Sequence, residues 1–235
     1  MRTPLRLTPG DLGRALARAG VPGPGCPLVV YGHVTDWTPA PAEPPHPDDL
    51  ARSRALRGAP LRHRFLASRL LLRRTLGAVS GRDPGTVTLA RTALGRPYAP
   101  DLPELDFSLS HTGPLMAVAV LRGGRVGVDV ERTGRAMTTL EHRMCTPHER
   151  AALDARGLRG AARDRELLRL WTLKEAYVKA LGTGLRHPLR RLGLDPADPA
   201  GHPAPPDAPH PPATASYALP GAWVSVVVFE RHSSR

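Results

Sequence analysis

Apolar residues recur at spacings of three and four through Leu167, Leu170, Leu173 or Lys174, Tyr177 and Leu181, which predicts a helix over Asp164–Leu181 with one buried stripe. Strong helix formers fill the run, and Gly182 and Gly184 supply a left-handed stop. A second helical pattern covers Asp49 to Leu76, with Leu66, Leu70 and Leu76 among its apolar positions and Gly77 ending it. A short helix is expected over Asp11–Ala19, another over Thr138–Met144, and one more after Thr146. There Pro147 stands at the first helical position and Glu149 three residues after the cap, the spacing of a capping box.

Strand patterns lie between these helices. Leu28–Val34, Thr86–Ala90, Phe107–His111, Leu115–Leu121, Arg125–Glu131 and Ala222–Phe229 are rich in β-branched residues or alternate apolar with polar. Gly123-Gly124 reads as a hairpin turn between the fourth and fifth. The five prolines between Asp36 and Asp49 predict loop, and the proline-dense stretch Pro196–Pro212 predicts a flexible surface loop. The order of elements is mixed: antiparallel hairpins with helices packed on one side, an α+β class rather than a parallel doubly wound sheet. No repeat is visible at the residue level.

Composition narrows the partners. A chain of 235 residues can bury a substantial core, and 41% hydrophobic content fits a soluble globular protein. The net charge of +12 implies an anionic partner. Aromatics are scarce at 4% and no zinc-finger spacing occurs, which argues against nucleic acid. No segment resembles a signal peptide and no apolar run approaches the ~18 residues of a membrane span, so the expectation is a cytoplasmic protein with no membrane contact. Cys26 and Cys145 are far apart and read as reduced thiols.

Two constellations carry chemistry. Asp129 and Glu131, two apart on a strand, project from one face while Val128 and Val130 point into a core. Glu175 and Lys179, four apart, share a helix face with Trp171; alone they would be an ordinary surface pair. Three carboxylates without His or Cys partners describe a hard, oxygen-only site suited to Mg²⁺ or Mn²⁺, with substrate phosphate completing the shell. The other constellation is phosphate-binding equipment: Arg64, Arg69 and Arg73 on a helix, with Arg69 on a different face, Arg96 in a Gly-Arg-Pro turn, and Ser110-His111-Thr112 at a strand end.

Gly95-Arg96-Pro97, Phe107-Ser108-Leu109-Ser110-His111-Thr112, Gly127-Val128-Asp129-Val130-Glu131 and Trp171-Thr172-Leu173-Lys174-Glu175-Ala176-Tyr177-Val178-Lys179-Ala180-Leu181-Gly182-Thr183-Gly184-Leu185 resemble, in order and spacing, the signature motifs of the phosphopantetheinyl transferases. The likeness runs from roughly Arg64 to Leu185. Length favours the large, surfactin-synthetase-activating type, a monomer of two similar α+β halves related by a pseudo-twofold. Each half would hold a small, mostly antiparallel sheet with packed helices, divided here as 1–122 and 123–235, with the active site at their interface.

The resemblance implies transfer of the phosphopantetheine arm of coenzyme A onto a serine of an acidic acyl, aryl or peptidyl carrier protein, releasing adenosine 3′,5′-bisphosphate. It implies that Asp129, Glu131 and Glu175 hold Mg²⁺, and that Arg64, Arg73, Arg96, Ser110 and His111 bind coenzyme A. Lys179 would neutralise pyrophosphate charge, with Lys174 assisting. The attacking serine needs a base; Glu149 and Glu175 are the candidates, although Glu149 has its capping role as an alternative. Cys145 departs from the family pattern, which has an aromatic there, and the first 50 residues match poorly. A nucleic-acid binder and a Mg²⁺-dependent phosphodiesterase are the rival readings.

Overall fold

The computed structural model describes residues 1–38, 44–183, 187–195 and 211–230. Gly184, Leu185 and residues 196–210 of the proline-dense stretch therefore lie outside the described residues. Two sheets and two long helices organise the rest. The first sheet takes β1 (Leu5–Arg6), β2 (Leu28–His33), β5 (Leu105–Thr112) and β6 (Leu115–Arg122) in the order β1-β2-β6-β5. All its pairings are antiparallel except β1 with β2. The second contains β7 (Gly124–Arg132), β8 (Ala213–Leu219) and β9 (Ala222–Glu230) in the antiparallel order β7-β9-β8. A two-stranded ribbon, β3 (Ala90–Arg91) with β4 (Pro97–Tyr98), stands apart. The α+β expectation holds.

Period-two alternation decides the layers. On β6, Ala117, Ala119 and Leu121 face one way; with Val126, Val128 and Val130 of β7 and Val224, Val226 and Val228 of β9 they form a dry core between the sheets. The opposite face of β6, Met116, Val118 and Val120, packs with Leu72 and Leu76 of α3 (Ala59–Ser80). On the far side, Val227 and Phe229 of β9 meet Tyr177 and Ala180 of α6 (Gly160–Leu181), where the Tyr177 and Phe229 rings stand edge to face. The result is helix, sheet, sheet, helix.

Several expectations change. The single helix over Asp49–Leu76 is two: α2 (Pro47–Arg54) and α3, broken at Gly58, whose φ of 91° and the following Pro60 restart the chain. Gly77 does not end α3, which stops at Gly81 in the left-handed region. At Gly77 a Cβ would fall 2.8 Å from the Arg82 carbonyl oxygen, so this glycine serves a close approach. Thr86–Ala90 is largely irregular: a 3₁₀ turn that Pro84 starts and Asp83 caps ends at Thr86, and only Ala90 enters a strand, β3. Gly123-Gly124 makes no hairpin: β6 pairs with β2 and β5 while β7 pairs with β9, so the chain changes sheets at Gly123. Leu5–Arg6 and Ala213–Leu219 are strands that the sequence reading did not identify.

The remaining helices, α1 (Leu12–Ala19), α4 (Glu141–Met144) and α5 (Pro147–Ala155), fall where the patterns placed them. Both cysteines are free. No helix among the described residues is long and apolar enough to cross a membrane.

Candidate active site

β7 carries Gly127, Asp129 and Glu131 on the face opposite its valines, and α6 lies across that face. Gly127 permits this: a Cβ there would sit 1.8 Å from the Ala176 carbonyl oxygen and 2.7 Å from the Ala180 nitrogen. Glu175 and Lys179, either side of that crossing in sequence, are thereby delivered to the carboxylates of β7. The Lys179 ammonium donates to Asp129 Oδ1 at 2.6 Å and to the Val128 carbonyl at 3.2 Å.

β7 is an edge strand of its own sheet, and β5 covers it with side chains instead of a backbone ladder. Asp106 accepts the Val126 N–H at 2.6 Å, and Ser108 Oγ accepts the Val128 N–H at 3.1 Å. The next two alternate residues of β5 reverse the direction: Ser110 Oγ donates to Asp129 Oδ1 at 2.6 Å, and Thr112 Oγ1 to Glu131 Oε2 at 2.9 Å. Two hydroxyls two residues apart thus hold two carboxylates two residues apart. This zipper is absent from any local pattern, because it needs strands from different sheets.

Glu175 feels both neighbours. Burial, then the adjacent Asp129, raises its pKa above the ordinary carboxylate value, with Lys179 opposing and Glu131 adding. Asp129 Oδ2 and Glu175 Oε1 are buried without a hydrogen-bond partner, a state that ordinarily costs stability unless something occupies it. The expected metal triad is nevertheless not preassembled. Among the described residues no three His, Cys, Asp or Glu side chains form a ready-made ligand set. Glu131 engages Thr112 and lies 3.7 Å from Arg135. The two orphaned oxygens fit a hard divalent cation; Glu131 would have to turn to join them.

The phosphate-binding candidates divide. His111 stands exposed at the end of β5. Desolvation, then Arg64, with Lys179 and Arg69 contributing, pulls its pKa below the usual value. Arg64, His111 and Lys179 thus share one electrostatic neighbourhood. Arg73 is elsewhere: its guanidinium is buried, on Asp49 Oδ2 at 2.6 Å and on the Val87 carbonyl. Arg69 shares that face with Arg73 rather than lying off it, 3.9 Å from Asp49 Oδ1, with its pKa lowered to about 10 by burial. The two line a cavity of about 510 Å³ between α2 and α3. Arg96 is committed to protein acceptors: the carbonyls of Lys179, Ala180 and Val126 and the Asp106 carboxylate.

Lys174 and Glu149 form a separate pair. The Lys174 side chain is fully buried, donating to Glu149 Oε2 at 2.6 Å and to the carbonyls of Met144 and Leu189. Glu149 Oε2 also accepts the Thr146 N–H, and Thr146 Oγ1 accepts the Glu149 N–H, completing the expected capping box. Among the described residues this pair makes no hydrogen bond or salt bridge to Asp129, Glu131 or Lys179. Lys174 is thus a core residue tying α6 to the start of α5. Cys145 packs beside it with Met144 and Leu153, its thiol pushed up to about 12 by burial and by Glu149.

Comparison with known proteins gives a likeness to one family. Residues 125–208 match the model of the 4′-phosphopantetheinyl transferase superfamily. The chain is 34% identical over 159 residues to the 4′-phosphopantetheinyl transferase HetI of a Nostoc species, covering 65% of this chain and 66% of that protein. It is 30% identical over 127 residues to a 4′-phosphopantetheinyl transferase of Bacillus subtilis, and 27% over 132 residues to the transferase Sfp of Bacillus subtilis strain 168. Both of those matches cover 54% of this chain and 55% of the relative, so the chain spans about half to two thirds of the relatives it matches.

Proposed function

We propose that this chain, whose residues 125–208 match the 4′-phosphopantetheinyl transferase superfamily model, moves the phosphopantetheine arm of coenzyme A onto a serine of an apo carrier protein, releasing adenosine 3′,5′-bisphosphate. The observation that carries the reading is the meeting of Asp129, Glu175 and Lys179, with two carboxylate oxygens buried and unpartnered. Such a cluster is poised for an anion-bridging divalent cation, and the family's chemistry on a pyrophosphate calls for one.

In the proposed step the carrier serine oxygen attacks the β-phosphorus of coenzyme A. The bond from that phosphorus to the bridging oxygen breaks, and the nucleotide leaves with the electron pair. Glu175 takes the serine proton as general base. Glu149 is the weaker candidate, since its Oε2 is occupied by the Thr146 N–H and Lys174. Lys179 neutralises charge growing on the 5′-phosphate of the leaving nucleotide. Arg64 and His111 would meet the phosphates of coenzyme A. Mg²⁺, or Mn²⁺, held by Asp129 and Glu175 with Glu131 turning in, would supply charge neutralisation at the pyrophosphate.

The element order supports two similar halves. β2, the 22-residue α3, then the hairpin β5–β6 with β6 central, is repeated as β7, the 22-residue α6, then β8–β9 with β9 central. We read this as a pseudo-twofold of the surfactin-synthetase-activating type, divided at Arg122 and Gly123, acting as a cytoplasmic monomer. The +12 charge would steer an acidic carrier toward the site.

The test is direct. The chain is incubated with coenzyme A, Mg²⁺ and an apo carrier protein, and the carrier is weighed intact. A covalent gain of roughly 340 Da, the mass of the arm, is expected; an unchanged mass with several carriers would overturn the reading.

A further inference from the structure

We infer that Arg96 is a positioning residue: it fixes the last turn of α6, and with it Lys179, against the edge of β7, rather than serving as a phosphate ligand. The inference rests on the transferase reading for its kinetic consequences but not for its structural ones.

Arg96 sits in the turn between β3 and β4, in a segment joined to the first sheet. Its guanidinium reaches out of that segment. Nη1 donates to the carbonyl of Lys179 and, at 2.9 Å, to that of Ala180. Nη2 donates to Asp106 Oδ2 at 2.5 Å and to the Val126 carbonyl at 3.0 Å. The four N–H groups on the two terminal nitrogens therefore have four acceptors, on α6, β5 and β7. A phosphate oxygen approaching either nitrogen would have to displace one of them.

Each acceptor has its own need for a donor. Lys179 and Ala180 belong to the last turn of α6, at the negative end of its dipole; the Lys179 carbonyl already accepts the capping Gly182 N–H at 3.2 Å, and Arg96 gives it a second donor. Asp106 already accepts the Val126 N–H at 2.6 Å, so Arg96 completes a bridge in which one carboxylate and one guanidinium clasp both the N–H and the C=O of Val126. Burial raises the Asp106 pKa, and the Arg96 charge is the largest opposing influence. Gly182, at φ 76°, leaves room: a Cβ there would lie 3.1 Å from Arg96 Cδ. Lys cannot replace this fork, because an ammonium has no fixed planar span across four acceptors.

The link to the site is one residue long. Arg96 holds the backbone carbonyl of Lys179, whose ammonium lies on Asp129 Oδ1 at 2.6 Å. Loosening the carbonyl lets the end of α6 move away from Asp129, and misplacement on the order of 1 Å costs about 100-fold in rate.

Arg96→Lys, Arg96→Gln and Asp106→Asn would be compared with the parent chain in three measurements: transfer kinetics with coenzyme A, the dissociation constant of adenosine 3′,5′-bisphosphate, and hydrogen exchange of the Gly182 amide. That amide bonds the Val178 and Lys179 carbonyls. Positioning predicts that all three variants lower kcat about 10- to 100-fold, keep KM and nucleotide affinity within about threefold, and speed exchange at Gly182. Asp106→Asn, which removes no cation, should behave like the Arg96 variants. The inference is overturned if Arg96→Gln weakens nucleotide binding tenfold or more while Arg96→Lys and Asp106→Asn leave both kcat and Gly182 exchange unchanged. Unchanged exchange in every variant would overturn it as well. The exchange measurement needs no turnover, so it judges the clamp even if the parent chain transfers nothing.

Discussion

Gly127 lies directly beneath Ala176, so close that a methyl group on it would sit 1.8 Å from the Ala176 carbonyl oxygen. This contact of α6 with β7 decides whether Glu175 and Lys179 can reach Asp129. Gly127→Ala must push the helix off the strand. Overpacking of this kind costs about 1–3 kcal/mol, and here the obstacle is backbone, which cannot swing aside. We expect a loss at or above that range in denaturant unfolding, together with loss of transfer. Unchanged stability would mean that α6 does not lie where it is described.

Glu149 and Lys174 give a second prediction. Glu149→Gln leaves the buried ammonium of Lys174 without its counter-charge. Breaking one side of a buried pair costs roughly 3–5 kcal/mol, so the midpoint of unfolding should fall sharply. Adding Lys174→Met should recover part of that loss. At a temperature where Glu149→Gln is still folded, transfer should fall by less than about tenfold, far under the ~10²–10⁴ expected of a general base. A larger fall in kcat would return Glu149 to the chemistry.

Asp129 gathers Ser110 and Lys179 on one oxygen while its other is buried and unpartnered. Asp129→Ala should abolish transfer, and raising Mg²⁺ should restore it only in part. Full activity in that variant would end the assignment of Asp129 as a cation ligand.

His111 should make the protein less tolerant of acid. Its pKa in the fold is below the ordinary value of 6.5, so the unfolded chain binds the proton more readily. Stability contributed by the neutral ring is complete above that value and is lost as pH falls below it. His111→Gln should flatten the fall in unfolding free energy as pH drops below about 6.5. An identical slope in both proteins would show that other groups set it.

Cys145 should be inert. With its thiol pushed up to about 12 and its side chain in the α5–α6 core, almost no thiolate exists at pH near 8. A thiol reagent should modify the half-exposed Cys26 alone until the protein is unfolded. Two modifications of the native protein would contradict this.

Much of the molecule is legible along the chain, because periodicity records which face of an element is buried. The stripe Leu167, Leu170, Leu173 and Tyr177 is inside α6, and the alternation on β7 puts Val128 and Val130 into the core and Asp129 and Glu131 opposite. The Thr146–Glu149 box also forms as its spacing requires, since the bonds of a cap span three residues. Boundaries set by a single backbone conformation, at Gly58 and Gly81, are not legible in the sequence, because a glycine's letter does not reveal whether its φ is positive.

What an arginine or a lysine touches is a different kind of fact. Lys174 and Lys179, the only lysines in the chain, are five residues apart on one helix. One is sealed in the core on Glu149, and the other faces Asp129. Arg73 is spent on Asp49, 24 residues away, and Arg96 on carbonyls more than 80 residues away. Local pattern determined which residue types and which faces were available. Only the crossing of α6 over Gly127 and the zipper of β5 on β7 decided which charges meet, because those contacts join segments that no spacing rule connects.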